Sequence, residues 1–129
     1  MSMILVVEPD PAFAERITTA LEPHGLSISV VGDRGAALEG AAARPPRLVL
    51  VDSGLPEAEE LLAAFAARGG GPGAIALVPA WAGSRAAADY QADAIVTKPF
   101  SDDDLRATVT RLLEQGPATG GTASPPAWM

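Results

Sequence analysis

Two carboxylates and one lysine each stand at the end of a short aliphatic run of the sequence. Glu8 and Asp52 directly follow two such runs, and Lys98, the only lysine of the chain, ends a third. A pair of carboxylates can hold a hard divalent cation such as Mg²⁺. A lysine beside them can pair with a carboxylate or with a phosphoryl oxygen. The residue types therefore indicate charge-based chemistry, provided that the fold brings the three runs together.

The pattern of the chain predicts five strands that alternate with helices. Strands are expected at residues 4–7, 27–31, 48–51, 74–78 and 94–97. Helices are expected from Pro11 to before Gly25, from Asp33 to about residue 43, and over residues 57–68, 84–91 and 102–115. Short runs that are apolar throughout are typical of strands covered on both faces. Alternation at this spacing predicts an α/β fold, with a parallel sheet and helices on both of its faces.

The predicted parallel sheet would gather the three charged residues at one edge. In such sheets, ligands bind beyond the carboxyl ends of the strands. Glu8, Asp52 and Lys98 all stand at strand carboxyl ends, and Asp10 lies close behind Glu8. Asp10 precedes Pro11, which is the pattern of an N-cap followed by a proline in the first helical turn. Glu8 and Asp10 can therefore also be interpreted as acids that stabilise a helix start.

Composition excludes several classes of function. The 129 residues fit one domain, and a hydrophobic content of 48% is enough for a core. The chain has no cysteine and one histidine, so thiol catalysis and zinc sites built from Cys or His are excluded. A net charge of −7 disfavours direct binding of nucleic acid. No apolar run approaches the ~18 residues of a membrane span, and no secretory signal is evident, so we expect a cytoplasmic protein without membrane contact.

Four sequence motifs, in order, resemble those of the receiver domain of bacterial response regulators. They are Ile4-Leu5-Val6-Val7-Glu8, Leu48-Val49-Leu50-Val51-Asp52, Leu55-Pro56 and Lys98-Pro99-Phe100. The resemblance covers about residues 3–115. It implies a flavodoxin-like, doubly wound five-stranded sheet in the order 2-1-3-4-5, and no enzymatic activity. We expect a receiver-like domain at residues 1–115 and a flexible Gly- and Pro-rich tail or linker at residues 116–129.

The resemblance also implies a role for each charged residue. Asp52 would accept a phosphoryl group from a histidine kinase, and Mg²⁺ would be held by Asp52 together with an acidic pair that begins with Glu8. Lys98 would bind a phosphoryl oxygen, and the Lys98–Pro99 peptide bond would be cis. The partners implied are a histidine kinase or another signalling protein, and a fused or separate output domain. From the residues alone, Lys98 can equally be a structural partner of Asp52.

Three departures from the receiver pattern fall at the predicted site. Pro9 stands where the second acid is expected, Pro79 where a hydroxyl residue is expected, and Ile95 where an aromatic residue precedes the lysine. Proline has no N–H and no hydroxyl to offer a phosphoryl oxygen. Loss of a ligand weakens a Mg²⁺ site strongly, because this ion demands near-octahedral geometry. We therefore expect weak Mg²⁺ binding at most. Asp10 is the candidate to replace the missing acid, but it lies one position further along the chain, where it can cap the first helix instead.

The departures favour an atypical receiver that signals mainly through protein–protein contacts. The resemblance implies a partner surface at the fifth strand and the last two helices, and we assign Trp81, Ile95 and Phe100 to it. An ordinary Mg²⁺-dependent receiver that is phosphorylated at Asp52 is the alternative. A flavodoxin-like enzyme or cofactor binder is a further alternative, because fold alone does not settle function.

Overall fold

A computed structural model of the chain describes residues 3–22, 25–67, 72–79 and 87–115. The five strands are β1 (Met3–Val7), β2 (Ser27–Val31), β3 (Leu48–Asp52), β4 (Gly73–Pro79) and β5 (Ala94–Lys98). The helices are α1 (Pro11–Leu21), α2 (Arg34–Ala43), α3 (Ala58–Ala66) and α4 (Asp102–Gln115). A single 3₁₀ turn, Ala87–Tyr90, lies between β4 and β5.

The strands form one parallel sheet in the order β2-β1-β3-β4-β5, which confirms the predicted fold class. The three central strands are the ones whose sequences are apolar almost throughout, and their residues are buried. Central strands are covered on both faces, so both sets of alternating side chains must be apolar. The edge strand β2 carries two serines and is only partly buried.

Each face of the sheet has its own hydrophobic core. Ile4 and Val6 of β1 pack on one face with side chains of α1 and α4, such as Ile17 and Leu105. On the opposite face, alternate residues of the central strands pack with side chains of α2 and α3, including Phe65. The two cores fix the sheet between four helices, and this holds the carboxyl ends of the strands in place.

The helix between β4 and β5 differs most from the expected elements. A helix was predicted over residues 84–91, but the described part of this segment is only the 3₁₀ turn Ala87–Tyr90. Residues 84–86, Trp81 and the predicted tail 116–129 lie outside the described residues. The other differences are at the ends of elements. For example, α3 starts at Ala58, one residue later than expected, and Glu57 is its N-cap.

Asp10 is the N-cap of α1. Its carboxylate oxygen Oδ1 accepts a hydrogen bond of 2.9 Å from the backbone N–H of Ala12, and Pro11 occupies the first helical position. We expect Asp10→Ala to lower the free energy of unfolding by about 1 kcal/mol, because an N-cap side chain satisfies an otherwise unpaired N–H. Urea unfolding measures this loss. The same variant should leave Mg²⁺ affinity unchanged, and a weakened affinity would show that Asp10 is a metal ligand instead.

Candidate functional site

Glu8, Asp52 and Lys98 come together at the carboxyl edge of the sheet. Asp52 and Lys98 are the last residues of β3 and β5, and Glu8 directly follows β1. Because the strands are parallel, their carboxyl ends point to the same edge. Strand β4 lies between β3 and β5, so the Lys98 side chain reaches Asp52 across the end of β4.

The ammonium group of Lys98 bridges the two carboxylates. Lys98 Nζ lies 2.7 Å from Glu8 Oε1 and 3.1 Å from Asp52 Oδ1. The Glu8 side chain has no exposed surface, while those of Lys98 and Asp52 are 10% and 12% exposed. Within the described residues, Glu8 Oε1 has no hydrogen bond of good geometry, so its contact with Lys98 is an ion pair. One buried cation thus neutralises part of the charge of two buried anions.

Burial and charge shift the protonation of this cluster in a consistent direction. Burial raises the pKa of the Glu8 carboxyl above its ordinary value, and the Asp52 charge adds to the rise. Contacts with Lys98 and with the Asp10 backbone N–H, 3.2 Å from Glu8 Oε2, offset the rise in the Glu8 pKa only in part. Burial alone would lower the pKa of Lys98, but its contacts with Glu8 and Asp52 outweigh this effect and raise it. Lys98 is therefore a firmly held cation.

The two prolines leave this site without polar groups that the receiver pattern includes. Pro79, the last residue of β4, pairs in register with Lys98 and has neither an N–H nor a hydroxyl. Pro9 is exposed and adds no carboxylate beside Glu8. Among the described residues, the Gly54 backbone N–H donates to Asp52 Oδ1 as Lys98 does, at a long 3.4 Å.

The acidic residues of the site do not fit a tight magnesium site. Glu8 and Asp52 both contact Lys98, and the Asp10 carboxylate caps α1. No cluster of three or more Asp, Glu, His or Cys side chains suited to a metal ion is found among the described residues. Mg²⁺ at this site would therefore have two carboxylates that already share the positive charge of Lys98, and no third carboxylate beside them among the described residues.

The predicted partner surface is partly a groove at the edge of the sheet. Ile95 and Phe100 both line a groove of about 370 Å³ between β5 and α4, together with Thr97 and Thr108. Phe100 is mostly buried, with 5% of its surface exposed, and Ile95 is half-buried. The exposed part of Phe100 contributes to the lining of this groove. Trp81, the third residue predicted here, lies outside the described residues.

Sequence reasoning missed two residues of α1 that contact the site. Phe13 places its ring centroid 4.3 Å from Lys98 Nζ. Arg16 donates a hydrogen bond of 3.1 Å from its guanidinium group to the Phe100 backbone carbonyl. No motif in the sequence marks either residue, because both contacts depend on how α1 packs against the loop that follows β5.

The fold is a doubly wound α/β domain with an acidic residue at the end of the third strand and a lysine at the end of the fifth. The profile of the Response regulator receiver domain family matches residues 4–110. The chain belongs to this family, whose members are the receiver modules of two-component signal transduction systems, a signalling rather than a catalytic role. The Lys98–Pro99 peptide bond is cis, as the resemblance implied.

Similar proteins agree with this assignment. The chain is 27% identical over 128 residues to the transcriptional regulatory protein KdpE of Mycobacterium tuberculosis, a match that covers 97% of this chain and 57% of KdpE. It is 30% identical to the probable transcriptional regulatory protein TcrX of the same species, over 87% of this chain and 50% of TcrX. The chain thus spans about half the length of these relatives.

Solved structures of receiver domains share the fold. The receiver domain of a signal transduction histidine kinase from Syntrophus aciditrophicus superposes with a TM-score of 0.79 at 25% identity, over 97% of this chain and 99% of that domain.

None of the helices in the described part of the chain has the length and apolar character needed to cross a membrane.

Proposed function

We propose that this chain is an atypical receiver domain with an incomplete phosphorylation site, and that it signals mainly through protein–protein contacts. The observation that carries the proposal is the ammonium group of Lys98 between the two carboxylates of the site. A divalent cation bound to these two carboxylates would compete with Lys98 for their negative charge. Mg²⁺ binding, in this proposal, is weak.

Asp52 is the proposed phosphoacceptor position. In phosphorylation, a carboxylate oxygen of Asp52 attacks the phosphorus of the donor, the bond from phosphorus to the leaving group breaks, and the leaving group departs with that electron pair. Lys98, 3.1 Å away, partly neutralises the negative charge that approaches Asp52. Pro79 supplies no donor to the arriving oxygens. The reaction at Asp52 should therefore be slow, because charge stabilisation in the transition state is incomplete.

The proposed partners are a histidine kinase or another signalling protein, with an output domain that is fused or separate. The similarity to transcriptional regulators that are about twice as long supports an output domain. Direct nucleic-acid binding by this domain is not proposed, because its net charge is −7. A cytoplasmic location is also proposed from the similarity to these regulators. The groove that Ile95 and Phe100 line is the proposed site of contact with the signalling partner.

Intact-mass measurement after incubation with acetyl phosphate and Mg²⁺ tests the proposal. We expect the folded wild-type chain to gain at most a small fraction of one phosphoryl group, and Asp52→Asn to gain none. Backbone amide spectra recorded on the same samples verify that both proteins are folded. A complete gain of one phosphoryl group that Asp52→Asn abolishes would overturn the proposal and identify an ordinary Mg²⁺-dependent receiver.

A further inference from the structure

The ammonium group of Lys98 has a third neighbour, the aromatic ring of Phe13. Nζ lies over this ring at 4.3 Å from its centroid, well within the range of a cation–π contact. The face of a phenyl ring carries partial negative charge, so it attracts the ammonium as the two carboxylates do. Because the Lys98 side chain is only 10% exposed, water weakens this attraction little.

Phe13 belongs to a cluster that joins α1 to the loop after β5. Its ring lies 5.9 Å from the ring of Phe100, and the guanidinium carbon of Arg16 lies 5.6 Å from the centroid of the Phe100 ring. Arg16 also holds the Phe100 carbonyl by a hydrogen bond of 3.1 Å. We call Phe13, Arg16, Lys98 and Phe100 the cation–aromatic cluster. In this cluster the two rings contact each other, and each ring also contacts one cation.

The cation–aromatic cluster extends from the site to the surface. Arg16 lines a groove of about 360 Å³ together with Ala12, Glu15 and Thr19 of α1 and Asp102 of α4. A continuous series of contacts therefore runs from Asp52 through Lys98, Phe13 and Phe100 to Arg16 at this groove. Nothing in this series passes through β4, whose last residue at this edge is Pro79.

We propose that Phe13 is a positioning residue for Lys98: its ring holds the ammonium against Glu8 and Asp52, and a change of charge at Asp52 reaches α1 through this contact. The proposal rests on the proposed function in one respect, that Asp52 is where such a change of charge occurs. A phosphoryl group on Asp52 would draw Lys98 toward its oxygens. The ring of Phe13 opposes that movement, so the movement of Lys98 is coupled to the packing of α1.

Packing alone does not require an aromatic residue at this position. Phe13 is only partly buried at the margin of its core, where a leucine would also cover apolar surface. A leucine, however, has no ring face to attract an ammonium. Phe13→Leu therefore separates the two roles, because it keeps the apolar contact and removes the cation–π contact.

Nuclear magnetic resonance of the side chains provides the test. In the wild type, the ε-methylene protons of Lys98 should be displaced upfield by the Phe13 ring. We expect Phe13→Leu to abolish this displacement and Phe13→Tyr to retain it. Phe65→Leu is the matched control, because Phe65 is buried in the core on the opposite face of the sheet. It should leave the Lys98 signals unchanged.

A second comparison tests whether Asp52 and Phe13 are coupled. Asp52→Asn removes one charge from the site without any phosphorylation, and we expect it to shift the ring signals of Phe13 and Phe100 while those of Phe65 stay in place. Two results would overturn the proposal. One is that the ε-methylene protons of Lys98 in the wild type have the chemical shifts of an exposed lysine. The other is that the Phe13 ring signals do not change in Asp52→Asn. Neither readout needs a phosphoryl donor, so failure of the proposed function in the mass experiment is distinguished from failure of this inference.

Discussion

Replacing Lys98 by methionine is expected to lower the free energy of unfolding by about 3–5 kcal/mol, because removal of one partner from a buried ion pair leaves uncompensated charge. Here two carboxylates lose their shared cation, and the Glu8 side chain has no exposed surface through which water could replace it. Methionine matches the length of the lysine side chain, so little of the loss should come from a cavity. Urea unfolding at neutral pH measures the effect.

The ion pair between Arg106 and Asp103 on α4 offers a matched control. The Asp103 side chain is 89% exposed, so Arg106→Met should lower the free energy of unfolding by less than about 1 kcal/mol.

The stability that Lys98→Met removes should also become smaller as the pH falls. In the folded wild type the pKa of Glu8 is already raised above its ordinary value. As the pH falls, Glu8 in the folded variant therefore takes up a proton before Glu8 in the unfolded chain does, and this increases the free energy of unfolding of the variant. If Lys98→Met and Arg106→Met lower the free energy of unfolding by the same amount at neutral pH, the central role of Lys98 is contradicted.

Restoring the polar groups that the two prolines exclude is expected to create a working cation site. Pro9→Asp combined with Pro79→Thr should tighten Mg²⁺ binding by at least about tenfold, since ligand-shell changes alter metal affinity by ~10–100-fold. The first change adds a carboxylate next to Glu8. The second adds a hydroxyl and an N–H at the position in register with Lys98. Isothermal titration calorimetry with MgCl₂ measures the affinity.

The control for this gain is Pro45→Asp. Pro45 is exposed and precedes β3, so the variant adds the same charge at the opposite edge of the sheet. It should not change Mg²⁺ affinity. If the double variant binds Mg²⁺ no better than Pro45→Asp does, then the prolines are not what limits cation binding. The same double variant is also expected to accept a phosphoryl group at Asp52 faster than the wild type.

The strands could be predicted from the sequence because a strand that is buried on both faces consists almost entirely of aliphatic residues. In β1 and β3 both faces are covered, so each is an uninterrupted aliphatic run, and Asp52 stands out at the end of such a run. The start of α2 was predictable for a different reason. Asp33 accepts a hydrogen bond of 2.8 Å from the Ala36 N–H, which is the capping contact that its position suggested.

The contacts around Lys98 were less accessible from the sequence. Strand order alone predicts that Glu8, Asp52 and Lys98 share an edge, but not that one ammonium contacts both carboxylates. The contact with Phe13 depends on the rotamer of a long side chain and on the packing of α1, and residue spacing encodes neither. The segment that contains Ala87–Tyr90 was harder to predict, because alanine gives no amphipathic pattern from which the ends of a helix could be assigned.

The position of Lys98 on the last strand has a consequence for how the domain is made. Asp52 is synthesised 46 residues before Lys98, and Glu8 earlier still. A growing chain therefore contains both acids before their counter-charge exists, and burying them together at that stage would be costly. The charged cluster closes only when β5 pairs with β4. The complete cluster therefore forms only after the chain has been synthesised as far as β5.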